Sequence, residues 1–157
     1  MAKQPKVKCP YCGQQFYRED VDFVQIGRRY AHKECHDKSE QIHALMKHVL
    51  GVSYSQTKIE RQIQSFVSKE GYTVKNIYNT LIYWYEIKKQ SADQANGGIG
   101  IVPYIYPEYL KYAQRQKENA ELNKGKSIKD FIKETKTVIG KAQPITRPRH
   151  VKFYDLD

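Results

Sequence analysis

Two periods of apolar spacing succeed one another along the chain. Val21, Phe23 and the run from Val24 to Ile26 are strand-like, Gly27-Arg28 makes a turn, and Arg29-Tyr30-Ala31 returns, which predicts a short β-hairpin. After Cys35 the spacing lengthens. Ile42, Leu45, Met46, Val49 and Leu50 fall on one face of a helix, with Gly51 as its stop. Thr57-x-x-Glu60 reads as a capping box for a second helix carrying Ile59, Ile63, Phe66 and Val67. Gly71 ends it, and Thr73 caps a third helix through Ile77, Tyr78, Leu81, Ile82, Trp84 and Tyr85 to about Lys89. The connection is short, so residues 57–89 read as a helical hairpin or a helix-turn-helix.

Residues 90–98, QSADQANGG, have loop composition. Ile99, Ile101 and Val102 are strand-like, and Pro103 limits such a strand to an edge; the alternative is a loop docking its apolar residues on the hairpin. Pro107 suits a helix start, giving a helix over about 108–122 with Tyr109, Leu110, Tyr112 and Ala113 inward. Ser127-x-x-Asp130 caps a short last helix holding Phe131 and Ile132. After Gly140, Pro144 and Pro148 forbid helix, which leaves an extended tail.

The chain has three cysteines, and all fall in one pattern: Cys9-x2-Cys12-x19-His32-x2-Cys35. Zinc takes four soft or borderline ligands in a tetrahedron. A Cys-x2-Cys turn presents two thiolates on one knuckle, with Pro10 and Gly13 helping it turn and Phe16 and Tyr17 packing beside it. The His-x2-Cys pair has the same gap and supplies the other half. His36 is a second candidate for the imidazole ligand, ranked after His32 because it breaks the two-residue gap. Four protein ligands close the coordination shell and leave no position for an activated water. The site therefore implies one structural Zn2+ that contributes folding energy rather than catalysis.

Knuckle, hairpin, and a helix carrying the second ligand pair at its start make a treble-clef arrangement. The run IGRRYAHKEC resembles the Gly-basic-x-aromatic-His-x-x-Cys stretch of LIM-type zinc fingers, over about residues 7 to 40. A LIM domain continues at once into a second zinc module. No further cysteine follows here, so the resemblance implies one finger and excludes a full LIM domain. The expected fold is mainly α with a small zinc-bound β-hairpin (α+β), the N-terminal finger packed on a helical bundle. The expected divisions are 1–51 for the finger and its helix, 52–140 for a helical domain, and 141–157 for an extended basic tail.

Charge adds a partner. The formal net charge is +10 over 157 residues, which suits nucleic acid or an acidic protein. In the helix-turn-helix reading, the exposed first turns of the third helix carry Lys75, Asn76, Asn79 and Thr80. Asparagine pairs with adenine, and lysine reaches guanine or phosphate. Lys88 and Lys89, with Arg147 and Arg149 in the tail, add candidate phosphate contacts. Tyr83 and Trp84 are alternatives for stacking unpaired bases. The 13 tyrosines also suit a protein interface.

Other classes have little support. AELNKGKS at 120–127 is a loosened phosphate loop, but a polar helix precedes it where a buried strand is required, so no nucleotide cofactor is expected. NGGIGI lacks the third glycine of a dinucleotide fingerprint. An HNH-like nuclease needs a histidine base beside a separate metal, and His36, His43 and His48 do not all share one helical face. No apolar run has membrane length, and MAKQPKVK has no apolar core of a signal peptide, so a cytoplasmic site is expected, in the host if phage-encoded. The stretch EGYTVKNIYNTLIYWYEIKK…NGGIGIVPYIYPEY resembles small proteins of bacteriophages and mobile elements of low-GC bacteria. Together these point to a non-enzymatic, zinc-containing nucleic-acid-binding or regulatory protein with DNA the favoured partner. The alternative is a protein-binding adaptor or inhibitor acting on a host nucleic-acid-processing machine.

Overall fold

A computed structural model describes residues 5–125. The expected short helix at 127 onward and the 141–157 tail, with Arg147 and Arg149, lie outside the described residues. Two antiparallel two-stranded sheets open the chain: β1 (Val7–Lys8) with β2 (Gln15–Phe16), and β3 (Phe23–Ile26) with β4 (Arg29–His32). The register of the second sheet pairs Ile26 with Arg29 across the Gly27-Arg28 turn, and Gly27 takes the left-handed conformation the turn needs (φ 60°). Four helices follow: α1 (Lys33–Leu50), α2 (Gln56–Ser65), α3 (Val74–Ile82) and α4 (Val102–Leu122). The α+β expectation is met, with one addition: the knuckle strands pair with each other as well.

Each of the first three helices ends for a readable reason. Gly51 closes α1. The last turn after α2 widens over Phe66–Glu70, and Gly71 ends it in the left-handed region (φ 70°). Thr73 caps α3 by accepting the Asn76 amide at 3.2 Å, and a similar wide turn over Tyr83–Ile87 extends α3. The cap of α2 differs from expectation. Ser55, not Thr57, accepts from the Lys58 amide, and Glu60 turns instead toward His43.

The stretch before Pro107 also differs. Ile99 and Val102 are fully buried and Ile105 nearly so, a three-residue spacing that belongs to helical turns rather than to a strand. The chain turns through 97–101 and α4 starts at Val102, five residues before the proline. Pro107 is exposed on the outer side, so the Pro103 carbonyl it leaves unbonded lies where water can reach it. A short apolar run does not reveal its own period, which is why strand and helix were indistinguishable in sequence.

The core binds finger to helices. Cys9, Phe16 and Ala31 share one buried cluster with Ile42, Met46, Ile59, Ile63, Ile77 and Leu81. The short link at 71–73 suggests that α2 and α3 pair, yet α3 packs chiefly along α1. The described residues through Glu118 form one compact unit; from Asn119 a second unit begins, whose described part is the end of α4 and a turn at 123–125.

Candidate metal centre

The knuckle is preorganised by its own backbone. The Cys9 amide donates to the Gln14 carbonyl at 2.9 Å, and the Gly13 amide to the Cys9 carbonyl at 3.0 Å. Gly13 holds a left-handed φ of 73°, which a side chain would resist. The other ligand pair straddles the end of β4 and the start of α1. His32 is the residue before the helix and Cys35 lies in its first turn, where the helix dipole favours a thiolate. The Lys33 amide donates to the Asp22 carbonyl at 3.0 Å and ties that first turn to the loop before β3. Phe16 lies against the His32 ring, centroids 4.2 Å apart, and fixes its plane.

This construction brings the ligand atoms of Cys9, Cys12, His32 and Cys35 within 4.8 Å of one another. The His32 Nδ1 is 3.3 Å from the Cys12 sulfur and 3.7 Å from the Cys35 sulfur. A tetrahedral zinc with ordinary bond lengths sets that separation at about 3.5 Å. The electrostatics agree. The Cys35 thiol donates toward Cys9 and draws the Cys9 thiol down from 9.0 to about 4. Bonding to Cys9, then burial, pushes Cys35 up, and burial pushes Cys12 up. Three sulfurs this close repel one another as thiolates, and a divalent cation at their centre is what lets all three ionise. The residues fit one structural zinc ion, and His32 rather than His36 completes the set. His36 lies elsewhere, 3.9 Å from both Asp37 and Glu40.

Among the described residues read as nucleic-acid contacts, Lys75, Lys88 and Lys89 are exposed, and Asn76 and Asn79 are half-buried. Lys75 is exposed in a cleft of about 810 Å3 beside the metal centre, together with Lys33 and Lys38. Asn76 is half-buried and its amide donates to the Tyr106 hydroxyl at 3.2 Å. Asn79 is half-buried, and Thr80 is fully buried with its hydroxyl on the Asn76 carbonyl. Thr80 therefore leaves the exposed face assigned to it, because the helix turns that side toward the core. Lys88 meets Glu108 at 2.6 Å, and Lys89 meets Glu86 at 3.5 Å. Tyr83 is buried and donates to Glu108 at 2.9 Å; Trp84 is half-buried.

Two features escaped the sequence reading. His43 is buried between two partners, with Nδ1 3.0 Å from the Tyr54 hydroxyl and Nε2 3.2 Å from Glu60. The bond from His43 is the main reason the Glu60 carboxyl lies below its usual range. The second is the pairing of Lys8 with Arg29 across one cleft, residues that read only as knuckle flank and hairpin turn.

The SPbeta prophage-derived uncharacterized protein YorH of Bacillus subtilis (strain 168) is 31% identical over 119 residues, covering 71% of this chain and 74% of YorH. This chain belongs to the YorH family. The prophage source of that relative agrees with the phage resemblance of the middle of the sequence. No family model matches the chain. No solved structure matches it either. Among the described residues, no helix is long and apolar enough to cross a membrane.

Proposed function

We propose that this phage-type protein is a non-enzymatic nucleic-acid-binding regulator, with DNA the favoured partner, built on a single zinc finger of the treble-clef kind. One observation carries the reading. The described residues 5–125 carry 18 lysines and arginines against 13 aspartates and glutamates, and among them only Lys88 and Lys89 form lysine or arginine ion pairs with a carboxylate. Cations without carboxylate partners are available to phosphates, and each phosphate met releases condensed counterions. The zinc holds the finger and its ligands close the metal, so the metal supplies the scaffold and the surface supplies the binding.

The test is a salt titration of the zinc-loaded full chain with duplex and single-stranded DNA. Log affinity is expected to fall linearly with log salt, with a slope of several units. No binding at low salt refutes the proposal. A second reading, a protein-binding adaptor, draws on a different observation: Tyr104 is 85% exposed on α4, and Ile87 and Leu110 are about half exposed. Tyrosine is enriched at protein interfaces. Absence of DNA binding at low salt would favour it.

A further inference from the structure

The tip of the finger and the end of α2 enclose a cleft of about 450 Å3. Lys8, from β1, and Arg29, from β4, both line it, opposite Gln64, Val67 and Ser68. No carboxylate lines it. Lys8 and Arg29 are exposed, and neither forms an ion pair among the described residues; the Arg29 guanidinium donates a long 3.5 Å bond to the neutral Gln64 amide oxygen. Gly13 forms part of the wall, its left-handed backbone letting the knuckle pass close to Val67. The cleft runs on, through the shared Arg29 and Gln64, into a second one of about 540 Å3 that adds Arg61. That second cleft also carries Glu60, bonded to His43 and Gln64, and Glu40, 3.9 Å from His36, so its lining is of mixed sign.

The cleft beside the metal centre is different. It brings Lys33, Lys38 and Lys75 together with Asp22, Glu34 and Asp37, so its charges cancel. Among the described clefts, the Lys8–Arg29 cleft is the one whose charged lining is of a single sign.

We infer that this cleft seats the phosphate backbone of duplex DNA, with Lys8 and Arg29 as the phosphate contacts. The inference rests on the nucleic-acid reading above and moves the contact surface from α3 to the finger. Charge complementarity selects a polyanion. The absence of an aromatic side chain among the cleft's lining selects a duplex over a single strand, because single-strand binding draws on stacking of unpaired bases on aromatic rings. The metal enters only as support: Lys8 precedes the ligand Cys9, and Arg29 lies three residues before the ligand His32, so zinc fixes both ends of the cation pair.

The test compares the wild-type zinc-loaded chain with Arg29→Gln, with Lys8→Gln/Arg29→Gln, and with Lys111→Gln/Lys117→Gln on α4. Zinc content and melting are checked for each, since Lys8 adjoins a ligand. Affinity for two duplexes of unrelated sequence and for one single strand is measured against salt. The salt slope for duplex is expected to fall by about one for Arg29→Gln and by about two for the double variant, equally on both duplex sequences. The α4 variant is expected to keep the wild-type slope. Steep wild-type binding with an unchanged slope in the double variant overturns the cleft assignment and leaves the nucleic-acid reading standing. Tighter binding to the single strand than to the duplexes overturns the choice of duplex. Absence of any wild-type binding at low salt overturns both.

Discussion

The amide of Val74 donates a 2.8 Å hydrogen bond to the carbonyl of Tyr11. Tyr11 lies inside the knuckle, between Cys9 and Cys12, and Val74 is the first residue of α3. The first amides of a helix have no partner within it. Here the metal knuckle provides one, so the Cys9–Cys12 knuckle and a helix more than sixty residues beyond it in sequence share a bond.

Removal of zinc is therefore expected to unfold more than the finger. Structural zinc contributes about 10 kcal/mol or more, comparable to the whole stability of a domain of this size. One zinc per chain is expected, and stripping it with a chelator should lower the helical circular dichroism and expose α3 amides to hydrogen exchange. Full helicity retained after complete zinc loss would count against the coupling. Cys9→Ser is expected to behave as the chelated protein does; a variant holding full zinc with unchanged melting would refute the ligand set.

Glu60 links stability to pH. Its carboxyl is held below the usual 4.5, first by the bond from His43 and also by Gln64, against burial that opposes the shift. A depressed carboxylate contributes stability above its unfolded value and loses it as pH falls through the folded one. Glu60→Gln is expected to lower stability at neutral pH by on the order of 1 kcal/mol and to flatten the fall in melting temperature below about pH 4.5. Parallel curves for the two proteins through that range would exclude this role.

Lys89 ends the extended α3 with φ 53°, in the left-handed region that a side chain resists. Lys89→Gly is expected to stabilise the protein by about 1 kcal/mol, raising its melting temperature by a few degrees. The weak contact with Glu86 at 3.5 Å joins two exposed side chains and offsets little of that gain. A fall in melting temperature would show that the strain reading is wrong.

Gln62 fastens the loop before α4. Its side-chain oxygen accepts the Ile99 amide at 2.8 Å, and a Cβ on Gly98 would overlap the same side chain. Gln62→Ala is expected to cost about 1–3 kcal/mol by leaving the amide of buried Ile99 without its partner. Gly98→Ala should also destabilise. If Gln62→Ala restores the stability of Gly98→Ala, the two share that one contact; additive losses would separate them.

Much of this protein is written locally. The metal ligands are legible because zinc demands four donors at fixed spacings, and a Cys-x2-Cys and a His-x2-Cys use every cysteine in the chain. The finger hairpin, α1 with its Gly51 stop and the Thr73 cap are legible because each depends on residues within a few positions. Tertiary structure decided the rest. The sequence could not say that Thr80 faces inward and Asn76 bonds Tyr106, since a helix has no solvent side until a neighbour covers the other. It could not separate strand from helix at 99–105, because three apolar residues take their period from what they pack against. Nor could it pair Lys8 with Arg29. They lie twenty-one positions apart, on strands of two different sheets, and only the packing of β1 beside β4 brings their charges to one cleft.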